Sequence, residues 1–372
     1  MPGPVIITGG GTGGHVFPMQ AIAEQLRARG VAATDLRFVG SRRGQESQLL
    51  SGGPVALTLL PGRGLRRSMA PGAVLANLAA SVTLVAAVAV ALVRVALWRP
   101  AVVVSVGGYA SFAVALAAIV WRRPLVLVDL DATPGAAHRL LGRFAARRCV
   151  AFASDDPRAS VTGAPIRGAI LAVARDPEAR ESRRASQVPP IEARRIVIVV
   201  MTGSLGSARV NEATTELAAR WSDRADLCLI HVTGRRDFES VVRSRPETTG
   251  LDYRIIDFAD MSVLWGLCDA AVCRAGALTI AELCALGIPA VLVPLPGAPH
   301  DHQTMNARAL ERAGAARVLD NDECTGESLA SMLDTLVAPD TLEEVSRAAR
   351  SLGHDAGAYA IASVVADVGR LA

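Results

Sequence analysis

Short apolar runs recur along the chain, each separated from the next by enough residues for one helix. Through residue 163 they are Val5–Thr8, Leu36–Val39, Val55–Leu60, Val102–Val106, Leu125–Val128 and Val150–Ala153. They are apolar almost throughout, without polar alternation, which is how strands buried on both faces read. Alternation of such strands with helical stretches predicts a parallel sheet covered by helices on both sides. Residues 167–195 break the pattern: they are charged, carry Pro177, Pro189 and Pro190, lack strand periodicity, and read as a linker into a second domain. From Ile196 the alternation restarts with IVIVVM and continues at Leu227–Val232, Tyr253–Ile256, Ala270–Cys273 and Ala290–Val293. The stretch from about Leu342 to Leu371 is helical in pattern. The expected fold class is α/β, with two doubly wound parallel-sheet domains.

Ligands of such sheets sit beyond the carboxyl ends of the strands. Three glycine-rich loops fall there: Gly9–Gly14, Gly107-Gly108 and Thr202–Ser207. The first, GGGTGGH, holds five glycines in six positions and ends on His15, so backbone can approach a ligand closely beside a side chain that titrates near neutral pH. The helix beginning there directs unpaired N–H groups and a positive dipole end at the same place. The glycines also satisfy the dinucleotide pattern GxGxxG. The acid expected after the second strand is absent, however, because Phe38-Val39-Gly40-Ser41 runs into Arg42-Arg43. An arginine pair suits a 2′-phosphate, so an NADP-type reading stays open as a secondary one.

The longest uncharged stretch, Ser68 to Val93, is long enough to span a bilayer. It lies inside a regular strand–helix alternation, contains Asn77, Ser81 and Thr83, and is rich in alanine and valine. A crossover helix packed on the sheet is therefore expected. Arg63, Arg66 and Arg67 precede it, and Arg94 and Arg99 follow. An apolar face rimmed by arginine suits an anionic membrane surface.

Composition narrows the class. The chain has 372 residues, 51% apolar and 20% charged, enough for two cores and too apolar for disorder. All 39 basic residues are arginine; 17 of them stand against 7 acids through residue 165, and 22 against 28 acids afterwards. That asymmetry turns the first half toward an anionic partner, a membrane or phosphates. Nucleic acid fits poorly, because aromatics are 4% and no basic helix or zinc pattern appears. The first apolar run is too short for a secretory signal, so a cytoplasmic location is expected. Six cysteines without a CxxC pair read as buried free thiols.

The densest candidate chemistry lies in CRAGALTIAELCALGIPAVLVPLPGAPHDHQTMNA, 273–307. A helix starting near Ala277 offers the N–H groups of Gly276 to Thr279 to a diphosphate without any metal. Glu282, one turn on, is within reach of a ribose diol, and reads equally as a solvated helix residue. His300-Asp301-His302 invites a metal, but neighbouring residues on one loop rarely converge on one ion, so no metal is assigned.

GGGTGGHVFPMQAIAEQL, SVGGYAS, TGSLGSARVNE, CRAGALTIAELCALGIPAVLVP and DHQTMNA, in this order and spacing, resemble the MurG family over about Val5 to Ala316. Those enzymes are UDP-N-acetylglucosamine transferases acting on the undecaprenyl-pyrophosphoryl-N-acetylmuramyl-pentapeptide of peptidoglycan synthesis, peripheral on the cytoplasmic face of the membrane. The resemblance implies a GT-B architecture with the active site in a cleft between two Rossmann-like lobes, and no cofactor. Its lobes here would be 1–165, joined by a returning helix at about 350–372, and 166–349. The first lobe would face the anionic membrane. His15 resembles the presumed general base, helped by Asp129. Thr12, Gly13 and Gly14 would contact the donor, and Tyr109 and Ser111 the acceptor pyrophosphate. Arg167, in Gly163-Ala164-Pro165-Ile166-Arg167, matches a donor-binding arginine, and Ser204 a phosphate contact. Ala259 would flank uracil through its backbone. Gly276, Ala277, Leu278, Thr279, Ile280, Ala281 and Glu282 would hold diphosphate and ribose, and His302 and Gln303 would read sugar hydroxyls.

One departure stands out. Val128-Asp129-Leu130-Asp131 replaces the family's usual His-Glu-Gln-Asn, so the asparagine expected at the donor sugar is Asp131. A glycosyltransferase on another lipid or natural-product acceptor, a UDP-sugar epimerase and an inactive nucleotide-sugar scaffold are the competing readings.

Overall fold

Thirteen strands form two all-parallel sheets among the described residues of a computed structural model, which are 3–11, 13–61, 71–173, 175–203, 206–298 and 301–371, with 71–79 as backbone only. The first sheet comprises β1 (Val5–Thr8), β2 (Leu36–Ser41), β3 (Ala56–Leu60), β4 (Val102–Ser105), β5 (Leu125–Asp129), β6 (Arg147–Val150) and β7 (Ala159–Val161). The second comprises β8 (Ile196–Met201), β9 (Leu227–Val232), β10 (Asp252–Ile256), β11 (Ala270–Cys273), β12 (Ala290–Leu292) and β13 (Arg317–Val318). Their orders, β3-β2-β1-β4-β5-β6-β7 and β10-β9-β8-β11-β12-β13, both reverse direction beside the first strand of the sheet. Such a reversal opens the crevice in which ligands of doubly wound sheets lie.

The chain divides into two compact units, Met1–Arg167 with Asp355–Ala372, and Gly168–His354. In the first, Ile6, Val103, Leu125 and Leu127 pack under Ala87, Ala91 and Val95 of the helix Pro71–Trp98 and Ala113 to Ala118 of the helix Tyr109–Val120. Successive strand residues face opposite ways, so Val102, next to Val103, meets Gly369 of the closing helix Gly357–Gly369 on the other side. That helix also lies against the helix Gly13–Ala28. Alanine at the buried positions of Pro71–Trp98 lets it sit close to its neighbour, and its other side exposes Val82, Val85, Val93 and Leu97. From Ala80 to Trp98 the helix is long and apolar enough to cross a membrane.

In the second unit, Ile198, Val200, Leu227, Leu229, Val272 and Val291 pack with Val210 and Leu217 of the helix Ala208–Arg220, with Trp221 just past its end, and with Leu329, Leu333 and Leu336 of the helix Gly326–Leu336. The segment read as a linker contributes a helix, Pro177–Ala185, capped by Asp176 Oδ1 accepting from Ala179 N–H at 2.8 Å. Its Arg184 is buried and donates to Leu267 O and to Asp269, which Arg180 also binds. A charged sequence is thereby fastened to the sheet, since a buried arginine needs both an anion and carbonyl acceptors. Two further differences concern strands. β6 starts at Arg147, before the apolar run, and β7 and β13 are short edge strands without an apolar signature.

Candidate functional site

In the first unit, β1, β4 and β5 are neighbours, so the loops beyond Thr8, Ser105 and Asp129 share one edge. Gly107 and Gly108 have φ of +101° and +84°. A Cβ on Gly108 would overlap the Gly10 carbonyl oxygen, which means the two glycine loops touch backbone to backbone. A Cβ on Gly107 would stand 3.2 Å from His15 Cδ2 and 3.3 Å from Nε2, so the imidazole rests on this glycine. His15 is half-buried at the third position of its helix.

The first loop is not an open anion cradle. Gly11 N–H donates to Glu46 Oε1 at 3.1 Å and Gly13 N–H to Gln45 Oε1 at 2.8 Å; Ser41 N–H also donates to Glu46 Oε1, at 2.9 Å. Glu46 is fully buried, and its carboxyl oxygen occupies the loop N–H groups from within the protein. Its location 35 residues from Gly11 hid it from sequence reading.

Asp129 corrects an expectation. It does not stand free to assist His15: it is 5% exposed, Oδ1 accepts from His138 Nδ1 at 2.8 Å, and Oδ2 accepts from Arg148 Nη2 at 2.7 Å and Nε at 3.2 Å. Burial raises its pKa, but the bonds and charges of His138 and Arg148 outweigh that and hold the carboxyl below the usual carboxylate value. His138 Nε2 lies 2.8 Å from Ser105 Oγ. Ser111 is a second correction, because it is fully buried and its hydroxyl donates to Gly108 O at 2.8 Å. It stabilises the loop from within rather than facing a ligand. Tyr109 opens the same helix and Asp131 follows β5, both half-buried. Arg167 ends the unit with its guanidinium 4.1 Å above the Phe17 ring, two residues past His15. Thr12 lies outside the described residues, as does Ser204 of the second unit.

In the second unit, Gly276 is the N-cap of the helix Ala277–Leu286 and places no side chain over its first N–H groups. Ala277, Thr279 and Ala281 are half-buried, whereas the Leu278 and Ile280 side chains are buried; Leu278 offers its backbone, and Ile280 N–H already donates to Gly276 O at 3.0 Å. Glu282 departs from the picture of a solvated residue: it is 4% exposed, and Oε2 accepts from Trp265 Nε1 at 2.9 Å. Arg274 ties three loops of adjacent strands together, donating to Ser207 Oγ at 2.6 Å, Val293 O at 3.0 Å and Pro294 O at 2.9 Å. Gln303 is only partly available, since Oε1 accepts from Leu295 N–H at 3.0 Å, while His302 beside it starts the helix His302–Arg312. Ala259 follows the exposed Phe258, over whose ring Arg235 lies at 5.1 Å. Among the described residues no three His, Cys, Asp or Glu are grouped to hold a metal.

Residues 5–150 match the glycosyltransferase family 28 N-terminal domain, and residues 197–362 the glycosyltransferase family 28 C-terminal domain. A protein of Alkalilimnicola ehrlichii is 37% identical over 371 residues, covering 99% of each chain. One of Chromohalobacter salexigens is 38% identical over 350 residues, covering 93% of this chain and 92% of its own. Both are named UDP-N-acetylglucosamine–N-acetylmuramyl-(pentapeptide) pyrophosphoryl-undecaprenol N-acetylglucosamine transferase. The crystal structure of MurG from Acinetobacter baumannii superposes with a TM-score of 0.74 at 25% identity, covering 98% of this chain and all of that one. Two Rossmann-like units of this kind make up the GT-B fold, and the chain belongs to the MurG family of glycosyltransferases.

Proposed function

We propose that the chain transfers N-acetylglucosamine from UDP-N-acetylglucosamine to the 4-hydroxyl of undecaprenyl-pyrophosphoryl-N-acetylmuramyl-pentapeptide, with inversion. Kinship over nearly the whole chain with enzymes named for this transfer supports the reaction class. The single observation that carries the mechanism is the His15 imidazole resting on Gly107 where two glycine loops meet. His15 takes the proton from the acceptor hydroxyl. The oxygen then attacks the anomeric carbon from the face opposite the diphosphate, the bond to UDP breaks, and UDP leaves with the electron pair.

The leaving diphosphate is received by the N–H groups of Gly276 to Thr279, at the positive end of a helix, and Arg167 is assigned to the donor through the family resemblance. Glu282, oriented by Trp265, accepts from the ribose. Ala259 and the exposed Phe258 ring flank the base. His302 and the amide nitrogen of Gln303 read sugar hydroxyls, with Asp131 an acceptor for the donor sugar. Thr12, Gly14 and Ser204 join this assignment through the family resemblance, and Tyr109 faces the acceptor pyrophosphate. Asp129 serves from behind, not beside His15. The exposed valine and leucine face of Pro71–Trp98, close to Arg94 and Arg99, docks on anionic lipid at the cytoplasmic side of the membrane, where the acceptor lies.

The test is incubation with labelled UDP-N-acetylglucosamine and the lipid-linked muramyl pentapeptide. A disaccharide lipid is expected. Donor binding without product would overturn the transferase reading in favour of a scaffold, and an altered sugar without acceptor in favour of an epimerase.

A further inference from the structure

The Asp129–His138–Ser105 chain lies outside the contacts assigned to substrate, yet it is buried and fully bonded. Asp129 is 5% exposed, His138 4% and Ser105 0%. An ionised carboxylate only accepts, so His138 Nδ1 carries the proton it shares with Asp129 Oδ1, and a neutral ring then accepts at Nε2 from the Ser105 hydroxyl. Should the ring gain a proton, the Ser105 hydroxyl turns and accepts instead. Both bonds therefore survive either charge state. On the far side, Arg148 grips Asp129 Oδ2 and is itself bound to Asp156 at 2.7 Å.

The near side leads to His15. Ser105 ends β4, and Gly107, two residues on, is the surface on which the His15 ring rests. The point a Gly107 Cβ would occupy is 3.3 Å from His15 Nε2 and 4.0 Å from His138 Cε1, so the two imidazoles border one glycine. The backbone between is pinned from three directions. Ser105 is held by His138, Val106 N–H donates to Thr8 O at 2.8 Å, and Gly108 O accepts from Ser111. The His138 ring spans the interval between the Asp129 carboxylate and the Ser105 hydroxyl.

We propose that His138 is a positioning residue for the transfer: bridging Asp129 and Ser105, it fixes the Gly107 backbone and through it the ring of His15. The proposal rests on His15 being the base. A displaced base loses rate far more than binding, because proton transfer demands a short, aligned contact while the donor is held elsewhere.

The experiment uses the full chain with ring-labelled histidine, the His15 signals being assigned through His15→Ala. In His138→Leu the His15 ring resonances shift, and kcat falls roughly 10²-fold while KM for UDP-N-acetylglucosamine stays within about twofold. His138→Asn, whose amide still donates to Asp129, recovers at least about tenfold of that loss. If His138→Leu does not fold, Ser105→Ala removes a single hydroxyl at the other end of the bridge and produces the same His15 shift. Unmoved His15 resonances in a folded variant overturn the proposal, as does a rate loss matched by an equal rise in KM. A fully active His15→Ala would instead remove the base assignment, and with it the kinetic half of the proposal, while the resonances still judge the geometry.

Discussion

The indole N–H of Trp265 donates to Glu282 Oε2 at 2.9 Å, joining the helix Met261–Leu267 to the helix Ala277–Leu286 inside the second unit. Trp265 is fully buried, so this bond to a carboxylate forms where water cannot replace it. Hydrogen bonds to charged groups contribute about 1.5–3 kcal/mol. Trp265→Phe keeps most of the packing and removes the donor. KM for UDP-N-acetylglucosamine is expected to rise roughly tenfold or more, with kcat changed only a few-fold. Steady-state kinetics at saturating acceptor reads this directly, and an unchanged KM would detach Glu282 from ribose binding.

Glu46 is expected to be worth more to the first unit than any exposed acid. Glu46→Ala strands the buried N–H of Ser41, at about 1–3 kcal/mol, and leaves that of the exposed Gly11 to water. Glu46→Gln keeps an acceptor oxygen and loses less, about 1 kcal/mol. Amide hydrogen exchange over the first glycine loop should show protection lost in Glu46→Ala and largely retained in Glu46→Gln.

Much of this architecture is legible in the chain itself. β1, β4, β5, β8, β9 and β11 are near-continuous apolar runs because they are buried on both faces, and the three glycine loops follow β1, β4 and β8 at the sheet edges. Arg147 and Arg148 conceal the start of β6, since an arginine turned to Asp129 and Asp156 looks like a surface charge when read alone. Pro177–Ala185 is hidden for the same reason, its Arg184 being buried against Asp269. The site divides likewise. His15 and Gly276 are visible because their chemistry is local to a glycine loop or a helix start. Glu46, Trp265 and His138 are not, because each acts through a partner that only the fold brings near.

His231 gives the second unit an acid-side liability. It is fully buried between Tyr253 Oη at 2.9 Å and Asn211 Oδ1 at 3.0 Å, and burial lowers its pKa to about 3. Below the unfolded value of about 6.5 the unfolded chain binds a proton that the folded chain refuses. Stability therefore rises with pH between about 3 and 6.5 and is lost on going down through that window, by up to about 1.4 kcal/mol per pH unit. Urea unfolding between pH 4.5 and 7 should show this slope in the wild type and a shallower one in His231→Gln.

The lipid-facing role of Pro71–Trp98 is tested on its most exposed side chains. Val85 is 70% and Leu97 71% exposed, so charging them costs little packing. Val85→Glu with Leu97→Glu should weaken sedimentation with vesicles containing anionic phospholipid roughly tenfold or more. Turnover of a water-soluble acceptor analogue should stay at the wild-type level. Equal vesicle binding by the double variant would place the membrane contact elsewhere.

The most direct measurement is single-turnover transfer by His15→Ala, alongside its affinity for UDP-N-acetylglucosamine. An imidazole that removes the acceptor proton contributes roughly 10²–10⁴-fold to the chemical step. The rate should fall by that factor, while the donor binds within about threefold and the far-ultraviolet circular dichroism is unchanged. A folded His15→Ala enzyme that forms disaccharide lipid at the wild-type rate would contradict the account.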